Sequence, residues 1–166
     1  MKHVFVSYSR IDGDVVDQLV ARLEQDGFNV WIDREEVKAG ELWHEMVVRA
    51  IENAYAFVLM LSPDSTASDN VRREVDLAED ANKEVVPVLL APVELTANLR
   101  YQLAGIEWIE YYHDPVAKYN ELLKALQTHQ EKFSDGQMPA LLDMEMIMGN
   151  IKISTLGSEK QKELLN

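Results

Sequence analysis

An uninterrupted apolar run near the middle of the chain limits the possible folds more than any other feature. The run extends from Ala56 to Leu61, which is the length of a strand, and its lack of polar positions is typical of a strand covered on both faces of a parallel sheet. The turn-forming residues Ser62 to Ser65 end it, and Ser68 or Asp69 is a suitable N-cap for a following helix. We therefore predict a buried strand, a turn and a helix over residues 55–82.

One carboxylate lies on the buried side of this predicted helix. The apolar stripe of the helix contains Val71, Val75 and Ala78. Glu74 falls on the same stripe, three residues after Val71 and four before Ala78. Burial of an ionised carboxylate costs several kcal/mol unless the group is paired or hydrogen-bonded. Two explanations stay open: Glu74 faces a ligand, or it forms an ion pair with an arginine. The candidate arginines are Arg10, Arg72 and Arg73.

Predicted strands alternate with predicted helices along residues 1–130. Helical spacing of apolar residues follows Asp14, Leu42 and Asp114-Pro115, and Gly27 is placed to end the first helix. The predicted strands are residues 4–6, 28–32, 56–61, 84–90 and 106–111. This alternation predicts an α/β fold, a doubly wound five-stranded parallel sheet with helices on both faces. In the common order 2-1-3-4-5, ligands bind at the carboxyl ends of the strands where the chain reverses direction.

Some positions test this fold locally. Pro87 cannot donate a hydrogen bond to a sheet, so it either weakens the fourth strand or occupies a position that needs no donor. Met46 and Val116 are expected on the buried sides of their helices. Residues 91–105 lack a clear period, and we expect a loop there with one helical turn.

The C-terminal part of the chain has a different character. We predict a domain of residues 1–130 followed by a C-terminal extension of residues 131–166, which is partly helical and carries no recognisable chemistry. Four of the seven methionines lie between Met138 and Met148. Such a face suits either an adaptable binding surface or a helix docked on the domain.

Composition excludes several classes of protein. The chain has no cysteine, and therefore no disulfide, thiolate nucleophile or thiolate metal site. A formal net charge of −13 argues against a nucleic-acid binder. The four histidines are too widely spaced for a helical metal pair, so we expect no metal site. Apolar runs are too short to span a membrane and the N-terminus leads directly into a strand, so we expect a cytoplasmic protein without a membrane partner.

Two segments should meet where the predicted sheet reverses. They are residues 8–13, after the first strand, and residues 62–74, after the third, which together bring Glu74 to the expected crevice. The nearby arginines either supply positive charge for phosphates or form a solvated face. The glycine-rich dinucleotide loop, the Walker loop and the nucleophile elbow are missing.

Several sequence blocks taken together resemble a Toll/interleukin receptor (TIR) domain of bacterial type over about residues 1–130. The blocks are Val4 to Ser9, Gly27 to Asp33, Gly40, Val58 to Pro63, Glu74 and Val86 to Val88. The order and spacing of the blocks make the resemblance specific. It implies a flavodoxin-like fold, and it makes residues 33–41 the loop through which TIR domains associate with one another.

The resemblance also implies an activity. Glu74 stands at the position of the catalytic glutamate of TIR enzymes that cleave nicotinamide from NAD, so NAD is implied as the substrate and no cofactor is required. The substrate-binding residues predicted with it are Tyr8, Ser9, Arg10, Asp33, Lys38, Trp43, Ser62, Ser68 and Asn70. Many active members carry tryptophan where this chain has Asn70. Trp43 is therefore a candidate to stack on the dinucleotide, with core packing as its alternative role.

Two functional hypotheses follow from this resemblance. The first is an NAD+ nucleosidase (NADase) in immune or stress signalling, which releases nicotinamide with ADP-ribose or a cyclic isomer and is activated as a homo-oligomer. The alternative is a non-catalytic TIR module that binds other proteins through residues 33–41 and the third predicted helix, which carries Glu74. The presence of Glu74 favours the enzyme, because adaptor-type members often lack it.

Overall fold

The computed structural model describes residues 2–33 and 41–134, and its strands form one parallel sheet. The strands are β1 (His3–Ser7), β2 (Val30–Ile32), β3 (Ala54–Leu61) and β4 (Val85–Leu89). Their order is β2-β1-β3-β4, and each neighbouring pair is parallel. Ile109 adds a single parallel bridge to Val88 on the outer side of β4. The predicted order is confirmed, with the fifth strand reduced to this bridge.

Helices connect the strands in the predicted alternation. They are α1 (Gly13–Gln25), α2 (Glu41–Asn53), α3 (Pro63–Thr66), α4 (Asp69–Asp80), α5 (Ala97–Gln102) and α6 (residues 115–134). As predicted, Ser68 caps α4, because its hydroxyl accepts a hydrogen bond from the Val71 N–H. Asp114 caps α6 in the same way through the Ala117 N–H.

The run that limited the choice of fold forms the most deeply buried strand. Every residue of β3 is buried, and β3 lies between β1 and β4. One face of the sheet packs on α2 and α4. The shared core on that face includes Phe5, Phe57, Leu59, Val47, Ile51, Val71 and Val75. On the other side, α1 and α6 meet where the Arg22 guanidinium lies 3.7 Å from the centre of the Tyr119 ring. Helices therefore cover both faces, as predicted.

Pro87 occupies a position in β4 where no donor is needed. The Phe57 N–H donates to the Glu84 carbonyl, and alternate residues of a parallel strand face opposite neighbours. Pro87 therefore faces away from β3. On that outer side its carbonyl accepts a hydrogen bond from the Ile109 N–H at 2.9 Å. The second of the two interpretations of this proline is confirmed.

Some local predictions are wrong. Asp14 does not cap α1, because a 3-10 turn over Arg10–Asp12 precedes the helix and leaves Asp14 in its first turn. The segment after β3 is a short capped helix, α3, rather than a plain turn. Met46 and Val116 are 53% and 68% exposed, so neither lies on the buried side of its helix.

The predicted division of the chain stays a prediction. The elements described above belong to a unit of residues 1–130, apart from the last turn of α6. Most of the predicted extension, residues 131–166, lies outside the described residues, as does most of the predicted association loop, residues 33–41.

Candidate functional site

A cleft of about 950 Å³ opens at the carboxyl ends of β1 and β2, between α2 and α4. Its volume lies near the upper end of the range of ~300–1,000 Å³ for small-molecule sites. The predicted site residues that line it are Tyr8, Ser9, Arg10, Asp33, Trp43, Ser68, Asn70 and Glu74. The fold thus brings together residues that are distant in sequence, at the edge of the sheet where the topology predicts a ligand.

Glu74 extends from α4 toward the end of β1. The Ser7 hydroxyl donates a hydrogen bond to Oε2 of Glu74 at 2.5 Å, across a sequence separation of 67 residues. Burial raises the pKa of Glu74 from 4.5 to about 7; the hydrogen bond from Ser7 opposes this rise, and the negative charge of Asp33 adds to it. Glu74 nevertheless stays partly accessible and lines the cleft. The pKa therefore lies where both protonation states exist near neutral pH.

None of the three candidate arginines forms an ion pair with Glu74 in the described part of the chain. Within residues 2–33 and 41–134 no arginine or lysine pairs with Glu74, and no positive charge contributes to its pKa. Arg72 instead pairs with Asp69 at 3.2 Å on the exposed side of α4. Arg73 lines the cleft next to Glu74.

The ends of β1 and β2 are held together beside the cleft. The Tyr8 hydroxyl donates a hydrogen bond to the Asp33 carbonyl at 3.0 Å. Ser9 caps the 3-10 turn that follows β1, because its hydroxyl accepts from the Ile11 N–H at 3.4 Å. These contacts hold Tyr8, Ser9 and Asp33 in place at one side of the cleft.

Trp43 forms part of an aromatic stack that reaches from the core to the cleft. Its ring lies 6.0 Å from that of Trp31, which stacks on Phe5 at 4.9 Å, and Phe5 stacks on Phe57 at 5.3 Å. Trp43 is half-buried and lines the cleft. Trp43 therefore packs against the core and lines the cleft at the same time.

Two predicted residues are not among those that line the cleft. Ser62 is buried in the capping box of α3, and its hydroxyl donates to Oδ2 of Asp12 at 2.5 Å. This bond ties the end of β3 to the 3-10 turn after β1. Lys38 lies outside the described residues.

The cleft also contains residues that were not predicted for the site. They are Val6, His44, Val47, Val48 and Leu77; Arg73, which also lines the cleft, is one of the arginines expected to supply charge for phosphates or to form a solvated face. His44 and Val48 are four residues apart and flank the apolar stripe of α2, so helical spacing was the available signal for these two residues. In the described part of the chain, no three histidine, aspartate or glutamate side chains are grouped as metal ligands. None of the described helices is long and apolar enough to cross a bilayer.

The parallel sheet and its cleft define a flavodoxin-like α/β domain with a polar crevice at the carboxyl edge. The sequence profile of the TIR domain family matches residues 4–126. The chain belongs to the TIR domain family.

The chain is similar in sequence to a hydrolase and to a receptor. The chain is 28% identical over 142 residues to the NAD(+) hydrolase SARM1 of Danio rerio, an alignment that covers 75% of this chain and 19% of that protein. It is 26% identical over 97 residues to Toll-like receptor 6 of Bos taurus, covering 55% of this chain and 12% of the receptor. The chain thus spans less than a fifth of either relative.

The fold agrees with a solved TIR structure. The TIR domain of the Toll-related receptor TRR-2 of Hydra magnipapillata superposes with a TM-score of 0.63 at 20% identity. The match covers 75% of this chain and 97% of that domain.

Proposed function

We propose that this domain is an NADase that cleaves the bond between nicotinamide and ribose, with Glu74 as the catalytic residue. The observation that carries the proposal is a desolvated carboxylate that opens to a cleft and has no cationic partner among the described residues. The similarity to a protein named as an NAD(+) hydrolase supports the same activity.

The chemistry requires little more than this carboxylate. When the bond between C1′ of the ribose and the nicotinamide nitrogen breaks, its electron pair neutralises the pyridinium, so nicotinamide leaves without a general acid. The ribose becomes an oxocarbenium ion, which the ionised Glu74 stabilises through its charge. Water then adds to C1′ and loses a proton, giving ADP-ribose. Capture by an adenine nitrogen of the same molecule gives a cyclic isomer instead.

Other cleft residues suit the rest of the dinucleotide. Arg10 and Arg73 line the cleft and offer positive charge to the two phosphates. Trp43 offers an aromatic surface for one of the two bases. The proposed binding set also contains Tyr8, Ser9, Asp33, Ser68 and Asn70.

The activity is tested by following nicotinamide release from NAD by concentrated protein. We expect the wild type to release nicotinamide and Glu74→Gln to lose at least about 100-fold in rate, because the neutral amide cannot stabilise the oxocarbenium ion by charge. Glu79→Gln is the matched control, since Glu79 lies on the exposed side of the same helix. Equal rates for wild type and Glu74→Gln, or no release by the concentrated wild type, would contradict the proposal.

A second candidate function is a TIR module that acts by binding a further TIR domain. Leu42 and Met46, one turn apart on α2, are 78% and 53% exposed. Together they form an apolar surface, called here the α2 patch, which follows the predicted association loop of residues 33–41 in the sequence. Self-association through this surface is compatible with either function. The non-catalytic module would be favoured if substitutions in the α2 patch abolish association and the wild type cleaves no NAD at any protein concentration.

A further inference from the structure

Ser7 is a fully buried hydroxyl residue at the end of a central strand. It is the last residue of β1, and its exposed fraction is 0%. Side chains alternate along a strand, so Ser7 points to the same face of the sheet as Phe5, the face that packs on α2 and α4. On this face the apolar residues of β1 give way to a hydroxyl at the point where Glu74 approaches.

We propose that Ser7 is a positioning residue for Glu74, which holds Oε2 of the carboxylate and leaves Oε1 for the ligand. The contact joins the Ser7 hydroxyl to Oε2 at 2.5 Å. No other hydrogen bond to the Glu74 carboxyl group is formed within residues 2–33 and 41–134. The identity of the ligand rests on the proposed NADase function, whereas the contact itself does not.

A neutral donor suits the proposed chemistry better than a cation. An arginine paired with Glu74 would lower the carboxyl pKa further, but its positive charge would cancel the field that stabilises an oxocarbenium ion. The Ser7 hydroxyl stabilises the ionised carboxylate without adding charge. It thus offsets part of the rise in pKa caused by burial and keeps the negative charge available to the ribose.

The charged groups around the carboxylate come from four elements. Asp33 follows β2, Arg10 lies in the turn after β1, His44 is on α2 and Arg73 is on α4. Among them, Asp33 is the group whose charge shifts the pKa of Glu74, and it raises it. A change of pKa after substitution of Ser7 alone therefore reports on the Ser7 contact, because these groups are unchanged.

The direct test is an NMR titration of side-chain carboxyl carbons in protein without substrate. The Glu74 resonance is assigned by its loss in Glu74→Gln. We expect a titration midpoint near pH 7 in the wild type, because burial raises the pKa of Glu74 to about 7. In Ser7→Ala the midpoint should rise by about one pH unit, the size expected for loss of a hydrogen bond to a charged group. Ser7→Thr keeps the hydroxyl and should keep the wild-type midpoint.

The control is Tyr55→Phe, which removes a buried hydroxyl from the neighbouring strand β3 and should leave the midpoint unchanged. An unchanged midpoint in Ser7→Ala would overturn the inference. This outcome does not depend on the result for Ser7→Thr.

The pH profile of kcat/KM provides a second readout, because it reports the pKa of the free enzyme. In Ser7→Ala its acidic limb should shift by the same amount as the NMR midpoint. If the NMR midpoint shifts in Ser7→Ala but the wild type releases no nicotinamide, the NADase proposal is removed and the Ser7 contact is kept.

Discussion

The carboxyl group of Glu74 binds its proton more tightly in the folded protein than in the unfolded chain. Its pKa is about 7 when folded, against an ordinary value of 4.5. Between these two pH values the folded state holds the proton and the unfolded state does not. The free energy of unfolding therefore falls as the pH rises through this window, and the loss is complete above pH 7.

Substitution of Glu74 should consequently stabilise the protein, but only at higher pH. We expect Glu74→Gln to unfold at higher urea concentration than the wild type at pH 8, by about 1–3 kcal/mol, and to differ little at pH 5. Glu79→Gln changes an exposed carboxylate and should have the same small effect at both pH values. A gain for Glu74→Gln that does not depend on pH would contradict the prediction.

At the residue scale, the sequence predicts the position of Glu74 but not its partner. Helical spacing places Glu74 on the buried side of α4, which requires only the 3.6-residue period. The partner is Ser7, 67 residues away, and side-chain contacts of this kind depend on how α4 crosses the sheet. Ser62 illustrates the same limit, because its hydroxyl is used to cap α3 and to bind Asp12.

At the element scale, two glycines next to α1 have opposite expected effects. Gly27 ends the helix with φ +90°, a conformation that side chains rarely adopt, and the Phe28 N–H behind it donates to the Leu23 carbonyl. Gly27→Ala should therefore lower the free energy of unfolding by about 1–2 kcal/mol. Gly13 has an ordinary helical φ of −51°, and a Cβ there would meet no atom within 4 Å.

Gly13→Ala should accordingly be neutral or should stabilise the protein by up to about 1 kcal/mol. Both variants add one methyl group at an end of the same helix, so each controls for the other. Urea unfolding of the two variants measures the difference directly. The reverse order of stability would show that φ is not the deciding factor at these positions.

Elements with a strong local signal are predicted better than elements that depend on a neighbour. The run from Ala56 to Leu61 and the Asp114-Pro115 helix start both carry that signal in sequence, and both are confirmed. The segment around Ile109 shows alternating charge like a strand, yet only one bridge forms there. The exposure of Met46 also depends on what lies beside α2, which spacing alone does not report.

At the scale of the whole molecule, topology predicts the edge of the sheet that carries the cleft but not every element that lines it. The order 2-1-3-4 places a crevice at the carboxyl ends of the strands, as predicted. The cleft is lined by residues of both segments expected to meet there, such as Tyr8 and Glu74, and also by Asp33 after β2 and by residues of α2. The contribution of α2 depends on how this helix packs beside α4, which topology alone does not specify.

Self-association is the property that connects the surface of the molecule to its proposed activity. The chain carries a formal net charge of −13, so two copies repel each other and need a favourable contact to associate. The α2 patch of Leu42 and Met46 supplies apolar area for such a contact. Met46→Glu replaces one of the two apolar side chains of that patch with a negative charge. It should raise the concentration at which the protein associates by about tenfold or more, because each 1.4 kcal/mol of lost interface energy is a factor of ten.

The same variant separates assembly from catalysis. Val116→Glu is the matched control, because Val116 is 68% exposed on α6 and receives the same charge away from the patch. Sedimentation velocity over a concentration series measures association, and nicotinamide release per molecule is followed in the same samples. If assembly activates the site, Met46→Glu loses activity at intermediate concentrations and regains it at high concentration, where mass action restores the assembly. Full activity in a Met46→Glu protein that stays monomeric would mean that the cleft and Glu74 suffice for cleavage without a second copy.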